Sequence, residues 1–309
     1  LIISGKSNSI YGGKLDDKVE ESDSENCYIN YIYGGEGNDT IILRATASVG
    51  YGEAGDDLLT AYTGSLNGGT GEDIFNIYAG YVVHHGGAGN DIFNIYGVSN
   101  KIYGDDGDDI FNILQGGSNT IDGGTGTNTV TGTVGTNTTI NVIGANSGSV
   151  SLTKGVEQVV NINGIDYTMS TESTTATVIY SINDSGQITF SMSSNQAIIR
   201  GDLNKKHNVS IKAGITFYGG NKGDIIDAHG ATIYLGSGNN TLKAFGTTIY
   251  GSSGNDTVSI TDGSFFYGGT GITNLTARSL NYIESVSGTM NLSLYGDNNT
   301  VYGTGGNNT

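Results

Sequence analysis

The stretch from Gly68 to Asn112 reads GGTGEDIFNIYAGYVVHHGGAGNDIFNIYGVSNKIYGDDGDDIFN. A nine-residue phrase, G-G-x-G-x-D-I-F-N, starts at Gly68, Gly86 and Gly104, with Asp105 replacing the second glycine in the third copy. The phrase returns at a constant interval of two nonapeptides, which is too long for a helical heptad. The period therefore predicts an all-β fold, a parallel β-roll or β-solenoid with about 18 residues per turn.

The polar positions of the phrase predict a cation site. Glycines at the first, second and fourth positions allow a sharp bend whose carbonyl groups turn outward. The sixth position adds a carboxylate, at Asp73, Asp91 and Asp109. Coils stacked about 4.8 Å apart would bring these acids close together. Because calcium takes about six to eight oxygen ligands, an acidic cage of oxygens suits this ion.

The apolar positions of the phrase predict the interior. Alternation with a period of two places the eighth and tenth positions on one strand face, where identical side chains would stack. These residues are Phe75, Phe93 and Phe111, followed by Ile77, Ile95 and Ile113. We expect Asn76, Asn94 and Asn112 to form a column of hydrogen-bonded amides beside them. Of the adjacent His84 and His85, we expect one ring to be packed and the other exposed.

These repeats resemble the G-G-x-G-x-D-x-U-x nonapeptides of the RTX (repeats-in-toxin) family. The resemblance implies a calcium-binding β-roll in a secreted or cell-surface bacterial protein. It does not imply a toxin, because the same roll occurs in proteases, lipases, epimerases, adhesins and surface-layer proteins.

The register of the first array extends from residue 34 to residue 131. Its phrases begin at Gly34, Gly52, Gly68, Gly86, Gly104 and Gly123, so the interval varies only slightly from coil to coil. Six stacked turns leave five gaps, so we expect about five shared calcium ions. The residues expected to supply carboxylate or carbonyl oxygens are Gly34, Glu36, Asp39, Gly52, Asp57, Gly68, Thr70, Asp73, Gly86, Ala88, Asp91, Gly104, Asp106, Asp109 and Gly123.

The rest of the chain divides into two further regions. Residues 132–213 lack the phrase, and Asn183-Asp184-Ser185-Gly186 between two β-rich runs predicts an antiparallel hairpin. We expect a small β-sandwich-like insert there, with degenerate rungs as the alternative. Residues 214–309 resume the phrase at a tighter spacing, as a second, less acidic roll after a calcium-binding roll in residues 1–131. The candidate metal residues of the second roll are Gly219, Asp224 and Asp256.

The composition limits the kinds of molecule that the chain is expected to bind. The chain has 309 residues, 13 basic against 30 acidic side chains and a net charge of −17, which disfavours nucleic acid and anionic membranes. Calcium is the expected partner, and copies of the chain or cell-surface glycans are further candidates. We expect no membrane insertion, because no apolar run approaches the length of a membrane-spanning helix. Cys27 is the single cysteine and is expected to be a buried thiol. The start at Leu1 suggests a piece of a longer protein.

Three classes of function remain. The first, which we favour, is a calcium-stabilised structural or adhesive repeat region that folds on exposure to extracellular calcium. The second is a self-assembling surface-layer or filament subunit. The third is a module, catalytic or not, of an enzyme acting on acidic polysaccharide. Only three arginines are present and no G-x-S-x-G or H-E-x-x-H motif occurs, so the sequence predicts no enzyme activity.

Overall fold

A computed structural model describes residues 1–23, 27–115, 117–133, 139–285 and 287–303 of the chain. The described residues form β-strands, turns and bends, without a helix. The strands of the first half are β1 (Ile2–Ile3), β2 (Ser9–Gly13), β3 (Lys18–Glu21), β4 (Tyr31–Glu36), β5 (Thr40–Leu43), β6 (Val49–Ala54), β7 (Leu58–Ala61), β8 (Ser65–Thr70), β9 (Ile74–Ile77), β10 (Val83–Ala88), β11 (Ile92–Ile95), β12 (Lys101–Asp106), β13 (Ile110–Ile113), β14 (Thr120–Asp122), β15 (Asn128–Thr133), β16 (Thr139–Ile143), β17 (Ala145–Thr153) and β18 (Gln158–Ile162).

The strands of the second half follow in the same way. They are β19 (Ile165–Ser170), β20 (Thr175–Ile182), β21 (Ile188–Ser194), β22 (Ala197–Gly201), β23 (Asn208–Ile211), β24 (Ile215–Tyr218), β25 (Ile225–His229), β26 (Thr232–Tyr234), β27 (Thr241–Phe245), β28 (Thr248–Tyr250), β29 (Asp256–Thr261), β30 (Phe265–Tyr267), β31 (Ile272–Arg278), β32 (Tyr282–Ser285), β33 (Thr289–Tyr295) and β34 (Thr300–Gly303). The chain divides into two compact units. Unit 1 is Leu1–Val150 with Gln158–Gly164, and unit 2 is Ser151–Glu157 with Ile165–Thr309.

Unit 1 is a parallel β-solenoid, which confirms the predicted fold class. Each coil contributes one strand to each of two sheets, and equivalent strands of successive coils pair in parallel. In one sheet Phe75 pairs with Phe93 and Phe93 with Phe111, so each coil there has the length of two nonapeptides. The step from Val49 to Ser65 is shorter and keeps the same register.

Stacked apolar side chains fill the interior of unit 1, because alternate residues of every strand point inward. The rings of Phe75, Phe93 and Phe111 are fully buried, with centroids 4.4 and 4.8 Å apart. Burying each ring stabilises the fold by roughly 1.5–3 kcal/mol. Aliphatic side chains of the opposite sheet complete the core, including Ile32 and Ile102.

Unit 2 contains a tighter parallel solenoid. In one of its sheets Thr216 pairs with Thr232 and Thr232 with Thr248, so each coil is shorter than the two-nonapeptide coil of unit 1. The following step, from Thr248 to Phe265, is slightly longer. The tighter spacing of the second array, read from the sequence, is therefore confirmed.

The segment expected to form a separate insert supplies further coils instead. β16 and β18 continue a parallel sheet of unit 1, while β21 and β22 begin the two parallel sheets of unit 2. The predicted hairpin is present, because β20 and β21 are antiparallel around Asn183–Gly186. β19 and β22 are antiparallel as well, so the chain reverses its course there. The alternative of degenerate rungs therefore describes this segment better than a β-sandwich.

Candidate metal centre

A column of carboxylates lines the glycine-rich turns of unit 1. We call it the sixth-position column, and its members are Asp39, Asp57, Asp73, Asp91, Asp109 and Asn128. In each coil the side-chain Oδ1 accepts a hydrogen bond from the backbone N–H of the equivalent residue one coil earlier, over 2.7–2.9 Å. All six side chains are 0–2% exposed. The column therefore ties neighbouring coils together from inside the turn.

A second column runs along the fifth position and carries hydrogen bonds in the opposite direction. Here the N–H of the later coil donates to a side-chain oxygen of the earlier coil, as from Asp56 to Asn38 over 3.0 Å and from Glu72 to Asp56 over 2.9 Å. These side chains are exposed. The two columns explain the recurrence of Asp and Asn at both positions without any metal.

The second carboxylate oxygen of the sixth-position column has no such explanation. The Oδ2 atoms of Asp39, Asp57, Asp73, Asp91 and Asp109 are buried and have no hydrogen-bond partner. Each approaches the first glycine of its own phrase at the place where a Cβ would stand. At Gly86, for example, that place is contacted by Asp91 Oδ2 and lies 2.6 Å from the carbonyl oxygen of Gly104 in the next coil. Only glycine, which has no Cβ, lets the carboxylate oxygen take this place.

Two asparagines show what the space accommodates. Asn128 has the same Oδ1 contact as the aspartates, and its Nδ2 donates to the carbonyl groups of Gly123 at 2.8 Å and Thr125 at 3.0 Å. Asn240 in unit 2 likewise donates to two carbonyl groups of its own turn, at Gly236 and Gly238. An aspartate has an oxygen in place of that nitrogen, so oxygen faces oxygen. A bound cation, or a proton on the carboxyl group, relieves such an arrangement.

The carboxyl pKa values reflect this environment. Burial raises the pKa of Asp57 and of Asp91 to about 7, and backbone hydrogen bonds to the preceding aspartate offset only part of this effect. Burial raises the pKa of Asp73 and of Asp109 to about 6. Neighbouring carboxylates contribute further to these increases. The ionised column is thus disfavoured without a counter-ion.

Unit 2 provides its corresponding carboxylates with hydrogen-bond partners from within the unit. Asp224 Oδ1 contacts the ring Nδ1 of His207 at 2.8 Å, and Asp224 Oδ2 accepts the N–H of Gly220 at 2.9 Å. Burial alone would raise the pKa of Asp224, but its hydrogen bonds with His207 lower it below the usual value. Asp256 Oδ1 accepts from the side-chain amide of Asn240 at 2.9 Å. At Gly219 the place of a Cβ is likewise taken by Asp224 Oδ2. Both oxygens of this carboxylate, however, already have hydrogen-bond partners.

The third-position residues expected to contribute carbonyl groups lie on the turn surface. The side chains of Glu36, Thr70, Ala88 and Asp106 are exposed. The carbonyl groups of Thr70, Ala88 and Asp106 each accept an N–H from the preceding coil at 2.9 Å. Among the described residues no three His, Cys, Asp or Glu side chains converge as a metal cluster. The residues that would hold a metal in unit 1 are Asp39, Asp57, Asp73, Asp91 and Asp109, together with carbonyl oxygens of the turns such as those of Gly34, Gly52, Gly68, Gly86, Gly104 and Gly123.

The sequence shows the sixth-position acid of one further rung, Asp17, but not the partner of Asp224. Asp17 extends the column by one coil, because its N–H donates to Asp39 Oδ1 at 2.7 Å and its Oδ2 lies close to Gly12. Leu15, in place of a glycine, obscures that rung in the sequence. His207 follows no recognisable phrase, so the sequence carried no signal of its pairing with Asp224.

Other expectations about polar residues are confirmed. His84 is fully buried, whereas the half-exposed His85 contacts Asp105 Oδ2 at 3.0 Å. Cys27 is a buried free thiol, and burial raises its pKa.

No helix in the described part of the chain has the length and apolarity needed to cross a membrane. The chain matches no known family model and no curated protein.

Proposed function

We propose that unit 1 is a calcium-binding structural repeat region of a secreted or cell-surface bacterial protein. The observation that carries this proposal is the row of five buried Oδ2 atoms without a hydrogen-bond donor. A buried ionised oxygen without a partner costs several kcal/mol, and the cost recurs in each coil. Calcium ions between successive turns would offset it.

The donor set favours calcium over other common metal ions. The oxygen atoms nearest to the Cβ place of Gly86 are Asp91 Oδ2 and the carbonyl oxygen of Gly104, with the ring atom Cζ of Phe93 beside them. Zinc and copper prefer nitrogen or sulfur ligands, and magnesium requires near-octahedral geometry at about 2.0–2.1 Å. Irregular cages of carboxylate and carbonyl oxygens are typical of calcium. The similarity of the phrase to RTX repeats supports the same ion.

We propose a structural role rather than a catalytic one. The recurrent polar side chains of unit 1 are used in hydrogen bonds between coils, at the fifth and sixth positions of the phrase. Calcium binding would remove the repulsion between the carboxylates of the sixth-position column and make the array a rigid rod. Such a rod suits a spacer or scaffold outside the cell, where the ion is abundant, as the resemblance to RTX proteins implies.

Isothermal titration calorimetry of the full chain with calcium chloride tests the proposal. We expect about five ions per chain, one in each gap between the six stacked turns of unit 1. Asp91→Ala should remove about two sites, because each carboxylate borders two gaps between coils. Asn240→Ala is the matched control in unit 2 and should leave the stoichiometry unchanged. Absence of calcium binding at millimolar concentration would refute the proposal.

A further inference from the structure

The outer face of one sheet of unit 1 is unexpectedly apolar. Each coil presents three outward side chains in a row, at alternate positions of the strand and the residue after it. The first column of these rows is aliphatic, and its members are Leu58, Ile74, Ile92 and Ile110. Leu58, Ile74 and Ile110 are each 40% exposed. We call the surface formed by this column and the two columns described next the ladder face.

The second column of the ladder face contains the side-chain amides of Asn76, Asn94 and Asn112. Asn94 Nδ2 donates to Asn76 Oδ1, and Asn112 Nδ2 donates to Asn94 Oδ1, each over 3.1 Å. A side-chain amide has two N–H donors and an oxygen that accepts twice. Each bond within the column uses one donor and one acceptor site. Asn94 therefore keeps one N–H and one acceptor site for a partner.

The third column of the ladder face consists of Tyr62, Tyr78 and Tyr96. Their rings stack with centroids 4.9 and 4.5 Å apart and with interplanar angles of 8°. Arg44 covers the first ring at 4.6 Å. Because the ring faces are occupied by neighbouring rings, the column offers ring edges and hydroxyl groups. It lacks the open aromatic faces on which a sugar ring would stack.

The fold does not require this apolar surface. In unit 2 the corresponding outward positions of β27 are Thr241, Lys243 and Phe245, and those of β29 are Thr257, Ser259 and Thr261. Hydroxyl groups and charges therefore suit the same architecture. The ladder face carries no charge from Leu58 to Leu114, although the chain has a net charge of −17. Two copies that meet on this face would therefore bring no like charges together.

We propose that the ladder face is the surface through which two copies of this chain associate side by side. The stacked tyrosine rings of the face repeat at 4.5–4.9 Å, and a partner that contacts all four coils in the same way repeats at a matching interval. A second copy has this interval by construction. A two-fold axis parallel to the coil stack places amide column against amide column and aliphatic column against tyrosine column. The side-chain columns of the two copies then pack between one another and exclude water, as in the steric zippers of stacked β-sheets.

The size of the face sets the strength of the contact. Four coils about 4.8 Å apart and three side chains about 7 Å apart cover roughly 400 Å² per copy. Stable interfaces bury about 800 Å² per partner, so the association should be weak and reversible. This inference goes beyond the proposed calcium role, because no ladder-face residue belongs to the glycine-rich turns.

Sedimentation equilibrium of the full chain, with calcium present, tests the proposal. We expect a reversible monomer–dimer equilibrium, and Ile74→Lys should weaken it at least tenfold by placing a charge in each half of the zipper. Thr241→Lys is the matched control on the outer face of unit 2 and should have no effect. Circular dichroism establishes that each variant keeps its β-structure.

A cross-linking experiment covers the case in which the lysine variant fails to fold. Asn94→Cys should form a disulfide-linked dimer on mild oxidation much faster than Ser259→Cys in unit 2. A wild-type chain that stays monomeric at millimolar concentration would overturn the proposal. So would a dimer that is unaffected by Ile74→Lys, or equal cross-linking rates for the two cysteine variants. Calcium binding measured on the same samples would show whether the proposed calcium role survives that outcome.

Discussion

Replacing Asp91 by asparagine should stabilise the calcium-free chain. The substitution keeps the Oδ1 atom that accepts the N–H of Asp73 at 2.9 Å. It puts an amide nitrogen in place of the orphaned Oδ2, as Asn128 already does in the last coil of the array. The new nitrogen would donate to carbonyl groups of its turn, and a buried negative charge disappears.

The size of the expected stabilisation follows from the pKa of Asp91, which burial raises from 3.8 to about 7. Ionising this carboxyl in the folded state therefore costs about 4 kcal/mol at pH 8. The cost is absent below pH 3.8, grows as the pH rises toward 7 and is complete above it. We expect Asp91→Asn to gain about 2–4 kcal/mol at pH 8 in chelator, and no more than about 1 kcal/mol near pH 4.

Far-ultraviolet circular dichroism in chelator between pH 4 and pH 8 reports this gain. The wild-type chain should lose β-signal progressively as the pH rises, and the variant should retain more of it at pH 8. With calcium present the order should reverse, because the amide is a poorer ligand than a carboxylate. If Asp91→Asn destabilises the calcium-free chain at pH 8, the assignment of an unpartnered, charge-strained Oδ2 is wrong.

Three other substitutions test separate features. His84→Leu should change the free energy of unfolding by less than about 1 kcal/mol at neutral pH in urea unfolding, because it removes a buried Nε2 without a partner but also the Nδ1 that accepts the N–H of Leu66 at 3.3 Å. It should be stabilising toward pH 4, since it removes a ring whose pKa burial lowers to about 4. Its reverse control, Ile102→His, should be destabilising. Glu53→Gly should raise the melting temperature by relieving a φ of 78°, a gain of roughly 1 kcal/mol, whereas Gly69→Ala should lower it. His207→Leu should cost about 3–5 kcal/mol in urea unfolding, because it leaves the buried carboxylate of Asp224 without its ring partner; an unchanged midpoint would show that the pair is not structural.

The parts of the fold that depend on simple periodicity could be predicted from the sequence. Inward alternation and the double-nonapeptide repeat placed Phe93 in the core and Asp91 at the turn edge, and both positions are confirmed. The hairpin at Asn183–Gly186 was predicted from its turn residues. The strands beside it join the solenoid sheets, because pairing with neighbouring coils satisfies their backbone groups, and no local signal reports that pairing.

The candidate site could be predicted only in part. The repeated phrase located the carboxylates, but it did not show that Oδ1 accepts a hydrogen bond while Oδ2 has no partner. This difference depends on the N–H of the preceding coil, which is a full turn of the solenoid away in sequence. The internal partner of Asp224 could not be predicted either, because His207 comes from a coil without the phrase. Sequence therefore overstated the similarity of the two arrays at this carboxylate.

The dependence of folding on calcium tests the central claim most directly. Far-ultraviolet circular dichroism of the full chain at pH 8 should show a large gain of β-signal between chelator and millimolar calcium, because only the cation relieves the repulsion along the sixth-position column. Magnesium at the same concentration should not replace calcium. A full β-signal in chelator, unchanged when calcium is added, would contradict the account.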